Sequence, residues 1–123
     1  MLDETPGIET IRGIVRVAEY NANFAPGLVE LHCVLSAEAT APEHPAHQYF
    51  LDRYTWVVAL MIEAFSNAQA AGQLAEAVEP ASAARSLIAL SDGLQVQWLL
   101  APDTLDMAEE LRRYLRPLFT IDF

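Results

Sequence analysis

The chain reads as an all-α, antiparallel bundle of about five helices, and three observations lead there. Proline and glycine cut the sequence into five segments whose apolar residues recur three or four apart, the spacing of one face of a helix. No run alternates apolar and polar residues for long enough to argue for a strand. With 123 residues the chain has the size of one domain and can bury about two thirds of its unfolded surface in a single core.

In the first segment, residues 8–24, Ile8, Ile11, Val15 and Ala18 form an apolar stripe opposite Glu9, Arg12, Arg16 and Glu19. Ala25, Pro26 and Gly27 make the turn, being poor helix-interior residues but good ones at a helix start. The second segment, residues 28–40, is apolar almost all round apart from Glu30, Ser36 and Glu38, the pattern of a helix sandwiched between neighbours, so it is expected in the middle of the bundle. Pro42 to Pro45 breaks it. A third and longest helix is expected from about His44, capping, and Pro45, in the first turn, to about Ala71. Its strongest face is Phe50, Tyr54, Val57, Met61, Phe65 and Ala68, widened by Leu51, Val58 and Ile62, while Gln48, Asp52, Glu63 and Asn67 form a wet edge.

Gly72 ends that helix, residues 73–79 form an acidic loop, and a fourth helix is expected over residues 80–100. Ala101, Pro102 and Asp103 close it. Asp106 and Glu109 have the reciprocal spacing of a capping box, opening a fifth helix with Met107, Leu111, Tyr114, Leu115 and Leu118 on its inner stripe. Across its outer side Glu109 and Glu110 can each pair with Arg113, at a few tenths of a kcal/mol per pair. The last residues, 120–123, have no periodicity; Phe119 and Phe123 are expected to cover the end of the core.

The charge balance excludes several functions. The formal net charge is -10 and every basic residue is an arginine. Phosphate backbones and anionic membrane surfaces are repelled by such a surface, so this chain by itself is not expected to bind DNA or RNA. The longest apolar run, residues 56–62, is far below the roughly 18 residues a membrane span needs, and the acidic start has no secretory pattern. Cys33, the only cysteine, sits among apolar residues and reads as a small core residue; it permits no intrachain disulfide. From these features a soluble, cytoplasmic protein is expected, with no membrane partner.

Catalytic and metal chemistry finds little support. His44 and His47 lie three apart beside Glu43, but Pro45 intervenes and no third ligand follows, so no metal is expected. The serines lack a glycine-flanked elbow, Gly72 and Gly93 are isolated instead of forming a phosphate cradle, and no Glu-x-x-His pair exists for a di-iron bundle. No catalytic residue and no cofactor are assigned.

The fourth helix carries an unusual stripe. Ser86, Ala89, Gly93 and Gln97 share one face, with Leu90 and Leu100 at its edges. Glycine inside a helix costs up to about 1 kcal/mol relative to alanine, and a close approach of another backbone is a physical reason to keep it. A partner helix from a second copy is the expected occupant, with a helix of the same chain as the alternative. Met107, Leu111 and Leu115 on the fifth helix extend the expected face, giving a twofold homodimer that buries about 2,000 Å² or more.

Four stretches in succession resemble a known family. HPAHQYFLDRY at residues 44–54, NAQAAGQL at the end of the same helix, EPASAAR at the next opening and DGLQVQWLLAPD at residues 92–103 look like the C-terminal regulatory domain of TetR-family transcriptional regulators. Each piece alone is an ordinary amphipathic helix; their order and spacing over nearly the whole chain carry the likeness. The resemblance implies an effector pocket among the first helices, a four-helix dimer interface from the last two, and DNA contact through an N-terminal helix-turn-helix domain that this sequence lacks. It divides residues 1–123 into a linker helix at 1–24, pocket helices over 25–100 and dimer helices over 80–118.

Within that frame the expected pocket residues are Phe24, His32, Leu35, Tyr54, Val57, Met61, Phe65, Gln95 and Trp98, bulky groups for area with a few polar atoms for orientation. His32 and Gln95 interrupt apolar stripes, and a polar group facing a core must find a partner in a neighbour, a water or a ligand. The expected function is that of an effector-binding and dimerisation domain, its effector a small apolar or amphipathic molecule. Two other readings stand beside it: a small helical enzyme acting on a hydrophobic substrate, and an orphan module forming mixed dimers with a full-length regulator.

Overall fold

The computed structural model describes residues 5–123. The first four residues of the expected linker, and of the acidic start, lie outside the described residues. Five helices run in order: α1 (Ile8–Phe24), α2 (Pro26–Glu38), α3 (His47–Ala70), α4 (Pro80–Leu100) and α5 (Met107–Leu115). Short 3-10 turns follow α4 and α5, and among the described residues no strand forms beyond a single bridge between Leu74 and Phe119. The all-α bundle expected from periodicity is therefore the observed fold.

Local chemistry sets the helix ends. Pro26 and Pro80 occupy first-turn positions, where a missing N–H leaves no gap in the helix ladder. The Glu79 carboxylate accepts from the backbone N–H groups of Ala81 (3.1 Å) and Ser82 (2.7 Å), and Asp106 accepts from that of Glu109 (3.1 Å), capping α4 and α5. Gly72 ends α3 at φ +76, with Gln73 N–H donating to the Ala68 carbonyl (2.9 Å) and Gly72 N–H to that of Gln69 (3.0 Å). This left-handed termination leaves α3 in a Schellman arrangement. The third helix starts later than expected. Residues 44–46 are turns in which the His44 Nδ1 accepts from Ala46 N–H (3.0 Å), and His47 Nδ1–H donates to the Ala39 carbonyl (2.8 Å). Both histidines thus fasten the α2–α3 connection.

α3 packs on α4 and α1, and α5 fits against α1 and α4. Between them lies an apolar core built from Ile11 and Val15 of α1, Met61 and Phe65 of α3, Leu87 and Leu94 of α4, and Met107, Leu111 and Leu115 of α5. Phe119 stacks on Phe65 (6.2 Å) and Phe123 on Phe119 (4.8 Å), so the last residues close one end of the core as expected. Thr120 N–H donates to the Gln73 carbonyl (2.8 Å), and Arg12 donates to the Asp122 carbonyl (2.7 Å), tying that segment to the α3–α4 loop and to α1. Arg112 of α5 also bonds Glu19 of α1 at 2.7 Å.

Two sequence expectations fail. α2 is not sandwiched: only Val29 is buried within it, while Leu28 (60% exposed), Leu31 and Val34 face outward. An all-round apolar pattern marks a helix with more than one covered face, but within one chain α1 and α4 cover only part of it. Met107, Leu111 and Leu115 do not extend an outer face either; all three are buried in the core of their own chain, because α5 turns its apolar stripe inward and its Glu–Arg pairs outward. Cys33 is half-buried and a free thiol.

Candidate functional site

Between α1, α2, α3, α4 and α5 an open cavity of about 720 Å³ remains. α1 gives it one wall because Thr10, Ile14, Val17 and Asn21 recur at helical spacing on the side away from the buried Val15. α3 supplies Arg53, Tyr54, Val57, Leu60 and Met61, and α4 supplies Ile88, Ser91, Asp92, Leu94 and Gln95. Leu28, Val29 and His32 enter from α2, and Met107 and Leu111 from α5. The lining is mainly apolar with polar groups set among it, the composition of a small-molecule site.

Three of those polar groups meet. The Tyr54 hydroxyl donates to Asp92 Oδ2 at 2.6 Å; His32 Nε2 lies 3.5 Å from the same hydroxyl and 3.7 Å from Asp92 Oδ1. Burial first, and then the bond to the Asp92 carboxylate and its charge, push the Tyr54 phenol well above its ordinary pKa, so the group stays a neutral donor. His32 also rests edge-on against Phe50, with ring centroids 5.8 Å apart. Arg53, the arginine of the cavity wall, is exposed and stacks on Trp56 with its guanidinium carbon 5.2 Å from the ring. Among the described residues no group of three His, Cys, Asp or Glu is arranged to hold a metal ion.

Of the nine residues expected at a pocket, His32, Tyr54, Val57, Met61 and Gln95 lie on the cavity wall. Phe24 does not: as the last residue of α1, where the chain turns away at Ala25, it is 73% exposed against Tyr20. Leu35 is half-buried on α2 off the wall, Phe65 sits in the core one turn beyond Met61, and Trp98 packs against that core. Sequence reasoning missed Asp92. Its signal was there, since Ile88, Asp92 and Gln95 fall on one face of α4, opposite the small-residue stripe.

That stripe lies on the outside. Ser86, Ala89, Gly93, Gln97 and Leu100 are exposed and Leu90 half-buried, and a Cβ built on Gly93 would meet nothing within 4 Å. Among the described residues no other helix comes within 4 Å of that point, although Leu90 at the edge of the stripe packs against the core.

An all-helical domain folded around an open, mostly apolar cavity is the class that the fold and the site define. The family described as BetI-type transcriptional repressor, C-terminal, matches residues 17–120. The chain belongs to that family: it is a TetR-type C-terminal domain, a regulatory part of a transcriptional repressor. Neither a curated protein nor a solved structure matches the chain. Among the described residues no helix is long and apolar enough to cross a membrane.

Proposed function

We propose that this domain binds a small amphipathic effector in the cavity between its helices and pairs with a second copy, relaying occupancy to a DNA-binding domain outside this sequence. The observation that carries the reading is the cavity of about 720 Å³ with one wall formed by α1, the helix that would link to such a domain. An effector that fits one setting of α1 better than another shifts the population toward that setting, and only this difference in affinity can move it. Residues 8–24 then act as linker, and residues 80–118 include the pairing surface.

The outward stripe of α4 supports the pairing. Gly93, where an added Cβ would meet nothing within 4 Å among the described residues, gives a second copy room for close backbone approach, with Ala89 and Ser86 beside it and Leu100, 81% exposed, at the end. With Met107, Leu111 and Leu115 inside the core, α4 carries the apolar part of this surface.

Native mass spectrometry of the intact chain tests both halves. A twofold mass and retention of a co-purified or added amphipathic molecule are expected. A monomer at micromolar concentration removes the pairing, and chemical turnover of the bound molecule in place of retention replaces the regulator by an enzyme.

A further inference from the structure

We propose that the cavity selects a protonated amine on an apolar body, its N–H group docked on Asp92 Oδ1 beside His32. The proposal rests on the effector cavity argued above and names the chemistry of its occupant. Asp92 is the carboxylate of the cavity wall. Its ion-pair partner among the described residues is His32, and their 3.7 Å separation is too long for a hydrogen bond. An ionised carboxylate offers about four acceptor positions. Tyr54 fills one on Oδ2, and its raised pKa keeps the phenol proton there. On this cavity-wall residue Oδ1 has only the long His32 contact among the described residues, which leaves acceptor capacity and charge for a ligand.

A ligand ammonium answers both deficits at once. It donates to Oδ1 and brings the opposite charge, and charge-assisted bonds of this kind are roughly twice as strong as neutral ones. A hydroxyl would use the acceptor but bring no opposite charge to a wall that also holds Val57, Leu60, Met61, Ile88 and Leu94. The rival charge on the wall is Arg53, which would favour an anionic head. Its guanidinium is exposed and already stacked on Trp56, so water and salt screen what an anion would gain there. Asp92, in the interior of α4 and half-buried beside Tyr54, is the better-shielded anchor.

Calorimetric titration of the intact chain with octylamine, octanol and octanoate at neutral pH separates the outcomes, because the three probes share one apolar tail. Octylamine is expected to bind at least about tenfold tighter than octanol, the size of a bond to a charged group, with octanoate weaker still. Asp92→Asn keeps an acceptor for Tyr54 while deleting the charge; it should weaken octylamine about tenfold and octanol by clearly less, because only the amine also loses its opposite charge. Octanol binding by that variant reports an intact cavity, and the ranking of probes on the unaltered chain stands whether or not the variant folds. Octanol or octanoate binding as tightly as octylamine, or Asp92→Asn without effect on the amine, overturns the amine while the cavity reading survives. No binding by any of the three overturns both.

Discussion

Tyr54 shows at the scale of one residue how environment becomes a pH dependence. Its phenol is held above the ordinary value of 10 by burial and by the Asp92 carboxylate. A raised folded-state pKa contributes stability that is complete below the unfolded value and is lost as pH rises through the folded one. Thermal melts of the chain should thus lose stability above about pH 10, and Tyr54→Phe should flatten that alkaline limb. Leu111, 1% exposed, tests the core in the same spirit: Leu111→Ala is expected to cost about 2–5 kcal/mol in urea denaturation, the range for a truncated core leucine.

Single residues were unevenly legible. Met61 and Val57 declare themselves by periodicity, since a stripe at helical spacing must face something apolar. Phe24 lies off the stripe of Ile8, Ile11, Val15 and Ala18 and ends in solvent as the last residue of α1, because bulk alone does not say which face a residue shares. Asp92 was hidden for another reason. It stands beside Gly93, and attention to the glycine assigns that stretch of α4 to an outer surface, although consecutive residues in a helix point about 100° apart.

Elements were easier to read than their neighbours. Prolines, Gly72 and Asp106 mark the ends of helices through local backbone chemistry, which acts without regard to tertiary context. Gly72→Ala is therefore a clean probe: its Cβ would meet nothing within 4 Å, so the cost is the left-handed backbone alone, about 1–2 kcal/mol by chemical denaturation. What lies against each helix is set by the whole chain and was misjudged twice. α2 has the composition of a central helix and lies outside; α5 keeps its inner stripe inside, so Met107, Leu111 and Leu115 do not also extend the α4 face. On the outer side of α5, Arg116 donates to the Glu109 carboxylate (2.9 Å) and, with Arg112 (3.5 Å) and Arg113 (3.7 Å), holds that carboxyl below the ordinary 4.5. A depressed pKa gives stability that is present above the unfolded value and fades as pH falls through the folded one. Glu109→Gln should accordingly reduce the slope of stability against pH below 4.5, and high salt should erase the difference because these groups are exposed.

For the molecule as a whole, charge and pairing belong together. Arg112, Arg113 and Arg116 of α5 and the turn after it are each engaged by Glu19, Glu109 or Glu110, so they offer no basic stripe. A chain of net charge -10 that repels other anionic surfaces approaches its own copy most easily where charge is absent, and the middle of the α4 stripe carries none. Gly93→Arg should convert a dimer to monomers in sedimentation velocity while leaving the helical circular dichroism unchanged; a dimer that tolerates it places the pairing elsewhere.

α1 is fastened along its length to other parts: Asn67 of α3 holds the Pro6 carbonyl at 2.8 Å just ahead of it, Glu19 holds Arg112, and Arg12 holds the Asp122 carbonyl. On the function proposed above, a displacement of this rod would pull on α3, α5 and the final residues together, and a shift begun at the cavity would reach the amino-terminal end as a tilt shared by several elements.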